Sequence, residues 1–145
     1  MSSQATVAGL QICPGYREPM KSTESVRAIE NLGCEGDHHA KVDSKRQVLL
    51  IEAETLEKLD LRVGDVKENI TTRGLALMGL PIGACLRVGE AVLEITSECH
   101  PCSRMDDLRP GLRETLGGQR GMLARVAQSG TLRVGDAITV EAPSA

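Results

Sequence analysis

Aromatic side chains are nearly missing from this chain: its 145 residues include one Tyr, no Phe and no Trp. The core must then be filled by Val, Leu, Ile, Ala and Met. The stacking platforms that usually grip single-stranded nucleic acid are missing too. So is any excess of positive charge, because the formal net charge is −3. Both shortages argue against nucleic acid as a partner. No apolar run approaches the roughly 20 residues that cross a bilayer, and the first residues show no basic segment leading into an apolar one. No membrane partner is expected. The cysteines lack the even number of a disulfide framework: there are five, Cys13, Cys34, Cys85, Cys99 and Cys102, irregularly spaced. The chain reads as soluble and cytoplasmic, with its thiols kept reduced.

What remains is ordinary globular material, 41% hydrophobic and 26% charged. That length supports one domain with a core that needs no staple. No linker interrupts it, so a single domain is expected over residues 1–145, ordered from about 6 to 141, with a short C-terminal tail. Residues 6–13 carry Val7, Leu10 and Ile12 and suit a first strand, closed by Pro14 and Gly15. Residues 22–32 suggest a short helix with Val26, Ile29 and Leu32 on one face and Gly33 at its exit. Residues 46–51 form a strand apolar on both faces at its end, hence central. Residues 52–59 are the clearest helix. A second helix is expected over residues 109–116, starting near Pro110, and a strand over residues 122–127.

The pentapeptide Leu-Arg-Val-Gly-Asp/Glu occurs three times, beginning at Leu61, Leu86 and Leu132. Glycine followed by an acid between β-branched runs is hairpin-turn chemistry. Its uneven spacing excludes a solenoid and suggests one structural task repeated, the launching of a strand. The fold class expected is mainly β, a closed or partly closed β-barrel with a few short helices.

Reactive groups concentrate after the strand-like run 91–96, where Cys99, His100, Pro101, Cys102 and Arg104 fall within six positions. Pro101 lacks an amide hydrogen and biases His100 toward extended geometry, which keeps this segment out of a regular helix. A thiol held just past a strand and followed by a cation can stand at a surface as thiolate, the form that attacks electrophiles and binds metals. The plainer reading of a free cysteine is a small buried hydrophobe. Cys102 favours the first reading; for Cys99 both stay open. Nearby acids, Glu98, Asp106 and Asp107, would oppose thiolate formation if they faced Cys102.

Several segments in order are familiar: Gly36, Asp37, His38 and His39; Arg46, Gln47 and Val48; Glu68 to Thr72 with Gly74; Ile82 and Gly83; Pro101 and Cys102; Gly121 with Ala124, Arg125 and Val126; and Gly135 with Asp136. Their order and spacing resemble the MOSC family, named for the C-terminal module of molybdenum-cofactor sulfurases and found also as small free-standing bacterial proteins. The likeness covers residues 7–140. It implies a pyruvate-kinase-barrel-like β fold and makes Cys102 the family's characteristic cysteine, a sulfur carrier in sulfurases and a molybdenum ligand in amidoxime-reducing relatives. The residues match neither the pyridoxal-phosphate aminotransferase-like domain of a full sulfurase nor the extra N-terminal β-domain of larger relatives.

On this resemblance the expected ligand is the molybdenum cofactor (molybdopterin), with Cys102 as metal ligand or persulfide carrier. Thiolate suits a soft-leaning metal, and the pterin phosphate suits cations and amides. Arg46 and Arg104 would neutralise phosphate or the metal complex, and Asn69, Thr71 and Thr72 would hydrogen-bond it. His39, or its neighbour His38, would carry protons. Each has a plainer role: Arg46 beside a buried strand, Asn69 satisfying a turn, Asp37 capping one, and the histidine pair as one structural and one exposed ring. The partners implied are the small-molecule cofactor and a cysteine desulfurase-like sulfur donor or a reductase; the reaction implied is reduction of N-hydroxylated compounds. Two other readings remain: a thiol-redox or structural zinc domain using Cys99 and Cys102, the latter with Cys34 and His38 or His39, and a non-catalytic delivery partner for a molybdoenzyme.

Overall fold

The computed structural model describes residues 4–15 and 18–141, so the tail expected at 142–145 lies outside the described residues. Short alternating segments become strands β1 (Thr6–Ile12), β2 (Lys21–Thr23), β3 (Ser25–Ile29), β4 (Gly33–Cys34), β5 (Val48–Glu52), β6 (Ile70–Arg73), β7 (Cys85–Val88), β8 (Ala91–Glu98), β9 (Met122–Gln128), β10 (Gly130–Arg133) and β11 (Ile138–Glu141). Three brief helices accompany them: α1 (Ala53–Lys58), α2 (Arg104–Leu108) and α3 (Leu112–Thr115).

Eight strands form one sheet in the order β11-β7-β8-β9-β5-β6-β1-β2, and β10-β3-β4 form a second. The large sheet curls until β11 reaches the start of β1, where Thr6 bridges Ala137 and the Ile138 amide donates to the Ala5 carbonyl at 2.8 Å. This is the mainly β, partly closed barrel expected. Pairing is antiparallel except between β5 and β6, which run parallel because α1 and the loop after it carry the chain back.

Alternation gives the central strands two different faces. Val48, Leu50, Ile70, Met122 and Ala124 point inward to a large aliphatic core that also takes Leu10, Leu86, Leu93 and Ile95. Ile51 points the other way, into a smaller cluster with Leu56, Leu61, Val66, Met105, Leu112 and Leu116. That outer face is covered by α1, the loop before β6, α2 and α3. With aromatics nearly missing, the inner core is built mostly from aliphatic side chains, joined by Cys34 and Met122, and Leu50, Ile70, Leu86, Leu93 and Ile95 are fully sealed.

Two helix expectations need correction. Residues 22–32 form β2 and β3, not a helix: burial over Ser25–Ile29 alternates with period two, and Val26 and Ala28 face the core while β3 pairs with β10. The expected helix over 109–116 shrinks to Leu112–Thr115, because Gly111 takes a left-handed φ of 84° beside Pro110. A separate helix, α2, precedes it. The repeated pentapeptides do three different things. The second makes the β7–β8 hairpin; the third ends β10 and crosses to β11 in the other sheet; the first is a loop with no strand after it. Among the described residues no helix is long and apolar enough to cross a membrane.

Candidate functional site

The outer face of β5, β6 and β9 is roofed by apolar side chains near α1 and α3, but it opens beside α2. There Leu49 and Leu123, paired across β5 and β9, floor a pocket of about 230 Å3. Asn69, His39, Arg46, Lys67, Arg104, Arg120, Cys99, Cys102 and Met105 complete its wall. Five sequence candidates therefore converge from distant segments: His39, Arg46, Asn69, Cys102 and Arg104.

Cys102 is exposed at the rim. Its segment is tied down at both ends: the Cys99 amide donates to the Gly121 carbonyl at 2.9 Å, and the amide of buried Met105 donates to the Cys102 carbonyl at 3.0 Å. Proline between the two cysteines keeps the stretch out of the sheet while β8 ends. The neighbouring acids do not line this pocket. Asp106 accepts from the Arg113 amide at 3.0 Å, and Asp107 faces an adjoining cavity. Four cations and no carboxylate thus share the pocket wall with an exposed thiol, a setting that favours anionic ligands.

Asn69 does a structural job at the pocket wall. Its Oδ1 accepts from the Leu49 amide at 3.0 Å and its Nδ2 donates to the Gln11 carbonyl at 3.2 Å, so it splices β5 to β1 where β6 begins. Asp37 caps its turn: Oδ1 accepts from the Cys13 amide at 2.7 Å and Oδ2 from the His39 amide at 3.2 Å. His39 Nδ1 lies 3.8 Å from the same carboxylate with half its side chain exposed, and its ring meets that of His38 edge-on.

Thr71 and Thr72 fall outside the pocket. Being adjacent in a strand, they point to opposite faces, so both could not serve one ligand. Both are fully buried. Thr72 Oγ1 donates to the Ile51 carbonyl at 3.5 Å, and Thr71 Oγ1 sits 3.3 Å from both Gln11 Oε1 and Glu68 Oε2. One hydroxyl hydrogen cannot serve two acceptors, so the Gln11 and Glu68 oxygens compete for it. Burial does push the Glu68 carboxyl above its ordinary range, opposed by the Gly64 amide, Thr71 and the charge of Arg120.

Arg120 and Lys67 are the pocket residues that sequence reasoning missed. Arg120 is 6% exposed; its Nη2 donates to the Val66 carbonyl at 2.6 Å, and its Nη1 is buried with no hydrogen-bond partner. Glu68 Oε1 is equally unpartnered. Orphaned polar atoms in a protein interior ask for an explanation, and a ligand is one. Arg120 is held in place by Gly121, whose φ of 129° and 2.3 Å virtual Cβ distance to the Leu50 carbonyl exclude any side chain. Lys67 adopts a left-handed φ of 66°, and its Nζ donates to the Glu18 carbonyl at 3.0 Å. In sequence, only adjacency sets them apart, Arg120 preceding the Gly121 segment and Lys67 preceding Glu68, and neither forms a motif of its own.

Alongside lies a larger cavity of about 480 Å3, with Met20, Val63, Asp65 and Leu108 in its wall. Lys67, Arg104 and Met105 belong to both. The smaller pocket alone is below the roughly 300–1,000 Å3 of typical organic-ligand sites, whereas the pair reaches into that range. The wall of the smaller pocket fits a phosphate-bearing anionic group with a soft atom at Cys102, whereas the larger cavity, with Asp65 and Asp107 in its wall, suits an uncharged portion of a ligand. The zinc alternative finds no support: among the described residues no three His, Cys, Asp or Glu side chains gather as a metal nest. Cys34, its proposed ligand, is sealed in the aliphatic core, where burial, and next the charge of Asp37, push its thiol up to about 12.

Comparison with known proteins adds three findings. Residues 35–139 match the family model described as the MOSC domain. No curated protein matches the chain. Among solved structures, the YuaD protein from Bacillus subtilis superposes with a TM-score of 0.83 at 20% identity, covering 98% of both chains. YiiM from Geobacillus stearothermophilus gives 0.77 at 17%, covering 94% of this chain and 75% of that one. YiiM from Escherichia coli gives 0.72 at 15%, covering 97% and 71%. At these identities the likeness is one of fold.

Proposed function

The chain belongs to the MOSC domain family, and from that premise we propose that the pocket at Cys102 holds the molybdenum cofactor, with the Cys102 thiolate as metal ligand. One observation carries the reading: an exposed thiol at the rim of a pocket with four cationic side chains and no carboxylate in its wall. In this reading Arg46, Lys67, Arg104 and Arg120 neutralise the phosphate and the anionic metal complex. Arg120 fits the role best, since its buried Nη1 lacks a partner and cation–phosphate hydrogen bonds are among the strong ones. His39, half exposed beside Asp37, delivers or receives a proton at the pocket mouth. Asn69 keeps the wall in register. When bound, the metal centre would supply two-electron oxygen-atom chemistry, which makes reduction of N-hydroxylated compounds the reaction class proposed, with a reductase as electron donor.

A second reading, sulfur carriage by a Cys102 persulfide received from a desulfurase-like donor, is favoured by the exposure of Cys102. A protein delivering sulfur or cofactor to a molybdoenzyme would use the same thiol. Anaerobic purification followed by elemental analysis for molybdenum, pterin fluorescence and intact-protein mass separates these. The expected result is cofactor, or one extra sulfur, in the wild type and neither in Cys102→Ser. Equal retention by the Cys102→Ser protein would refute both readings.

A further inference from the structure

Two thiols, not one, open onto the pocket. Cys99 lies one residue past β8, 5% exposed, and Cys102 stands exposed at the rim, yet both belong to the same pocket wall. No other cysteine reaches it: Cys34 is in the core, Cys85 is on β7, and Cys13 sits at the end of β1, its Sγ donating to the Gly15 carbonyl at 3.1 Å. The Cys99 thiol is not engaged by a strong acceptor, its contact to the His100 carbonyl being 4.0 Å long.

We propose that Cys99 is a resolving thiol, which discharges sulfur held on Cys102 by closing a Cys99–Cys102 disulfide. The two-residue spacer limits the α-carbons to about 10 Å apart at full extension, and both side chains belong to the wall of one cavity of about 230 Å3. A disulfide closes at a separation of roughly 4.4–6.8 Å. Backbone hydrogen bonds hold the segment at the Cys99 amide and at the Cys102 carbonyl, so rotation of the exposed Cys102 side chain is what closes the bond.

The step balances. It rests on the sulfur-carrying reading, in which a persulfide donor has placed a second sulfur on Cys102. The Cys99 thiolate attacks Cys102 Sγ and the Cys99–Cys102 bond forms. The bond from Cys102 Sγ to the terminal sulfur breaks, and that sulfur leaves with the electron pair and the proton from Cys99, as hydrosulfide. The Cys99 sulfur is oxidised and the terminal sulfur reduced, electron for electron. Arg46, Lys67, Arg104 and Arg120 stabilise the departing anion. An external dithiol then reopens the disulfide by ordinary exchange. The same attack expels glutathione from a Cys102–glutathione mixed disulfide, which allows a test that needs no persulfide.

The experiment treats wild type, Cys99→Ser and Cys99→Ala with sodium polysulfide in one arm and oxidised glutathione in the other. Intact mass, released sulfide and peptide mapping are followed, with thermal melts to show that the variants fold. Expected in wild type are sulfide release, loss of two hydrogens and a Cys99–Cys102 cross-link; both variants should keep the added sulfur or glutathionyl group on Cys102 on the order of tenfold longer. Adducts equally long-lived in wild type and variants, with no cross-link, overturn the proposal. If glutathione drives the cross-link but polysulfide never loads Cys102, the resolving role stands and the sulfur-carrying reading fails.

Discussion

The two faces of β5, β6 and β9 are made by alternate residues of the same strands, yet they behave as different materials. The inner face carries Val48, Leu50, Ile70, Met122 and Ala124, apolar and sealed, with the buried Thr72 as its polar member in β6. The outer face carries Leu49, Ile51, Asn69, Thr71 and Leu123, partly roofed by a small aliphatic cluster and partly opened as the Cys102 pocket. Beneath and beside that opening lie Gln11, Glu68 and Arg120, all buried. Burying polar groups costs stability unless each is partnered. The inner face therefore holds the barrel together, and the outer face accepts that cost to fix the pocket's shape and charge.

Gly121→Ala should break the distinction altogether, because residue 121 backs onto the Leu50 carbonyl between Arg120 on one side and Met122 on the other. A loss of about 3 kcal/mol or more, or failure to fold, is expected in urea unfolding. Next in size is Leu50→Ala on the inner face. It should cost about 2–5 kcal/mol while leaving phosphate affinity, read by calorimetry on the folded fraction, unchanged; a coupled loss of both would show that the two faces are not independent.

The two thiols Cys34 and Cys102 sharpen the contrast with a single chemical change. Cys34→Ser puts a hydroxyl into the aliphatic core and should lower stability by about 1–3 kcal/mol. Cys102→Ser should stay within about 0.5 kcal/mol of wild type and yet lose the fast-reacting maleimide site, leaving the half-buried Cys85 as the slower one. Cys34 should react only on unfolding, since burial disfavours its thiolate.

The smallest effect is a slope. Burial raises the Glu68 carboxyl above its unfolded value, so the folded protein holds a proton that the unfolded chain has already released. Stability is then highest at low pH as far as this group is concerned, and it falls as pH rises from the ordinary glutamate value through the raised one. The slope for one proton is at most about 1.4 kcal/mol per pH unit. Glu68→Gln should flatten that portion of the stability–pH curve in urea titrations, and a slope unchanged in Glu68→Gln would assign it to another group.

Much of the barrel was legible because its signals are local. The strands at 6–12, 48–52 and 122–128, the helix at 53–58 and the hairpin at Gly89 and Glu90 follow from alternation, helix formers and turn chemistry within a few residues. Residues 22–32 misled because Val26 and Ile29 fit a three-residue spacing as readily as Val26 and Ala28 fit a two-residue one, and pairing with the distant β10, where Ala28 lies opposite Gly130, decided between them. Around the site, the motifs at His39, Arg46, Asn69, Cys102 and Arg104 pointed to residues that do meet. Thr71 and Thr72 were drawn in by adjacency to Asn69, which a strand's alternation splits between faces. Arg120 went unnoticed because a single arginine before a glycine has no local signature.

The sequence by itself determined that an aliphatic, aromatic-poor chain would close its strands around a dry interior, and that a Pro-held thiol would be left outside the sheet. Only the tertiary structure decided which polar residues stand open at the pocket and which are sealed behind it. Alternation tells which side chains share a face but not what covers that face. The cover comes from α2 and the loop before β6, segments that meet β5 and β9 only when the chain is folded.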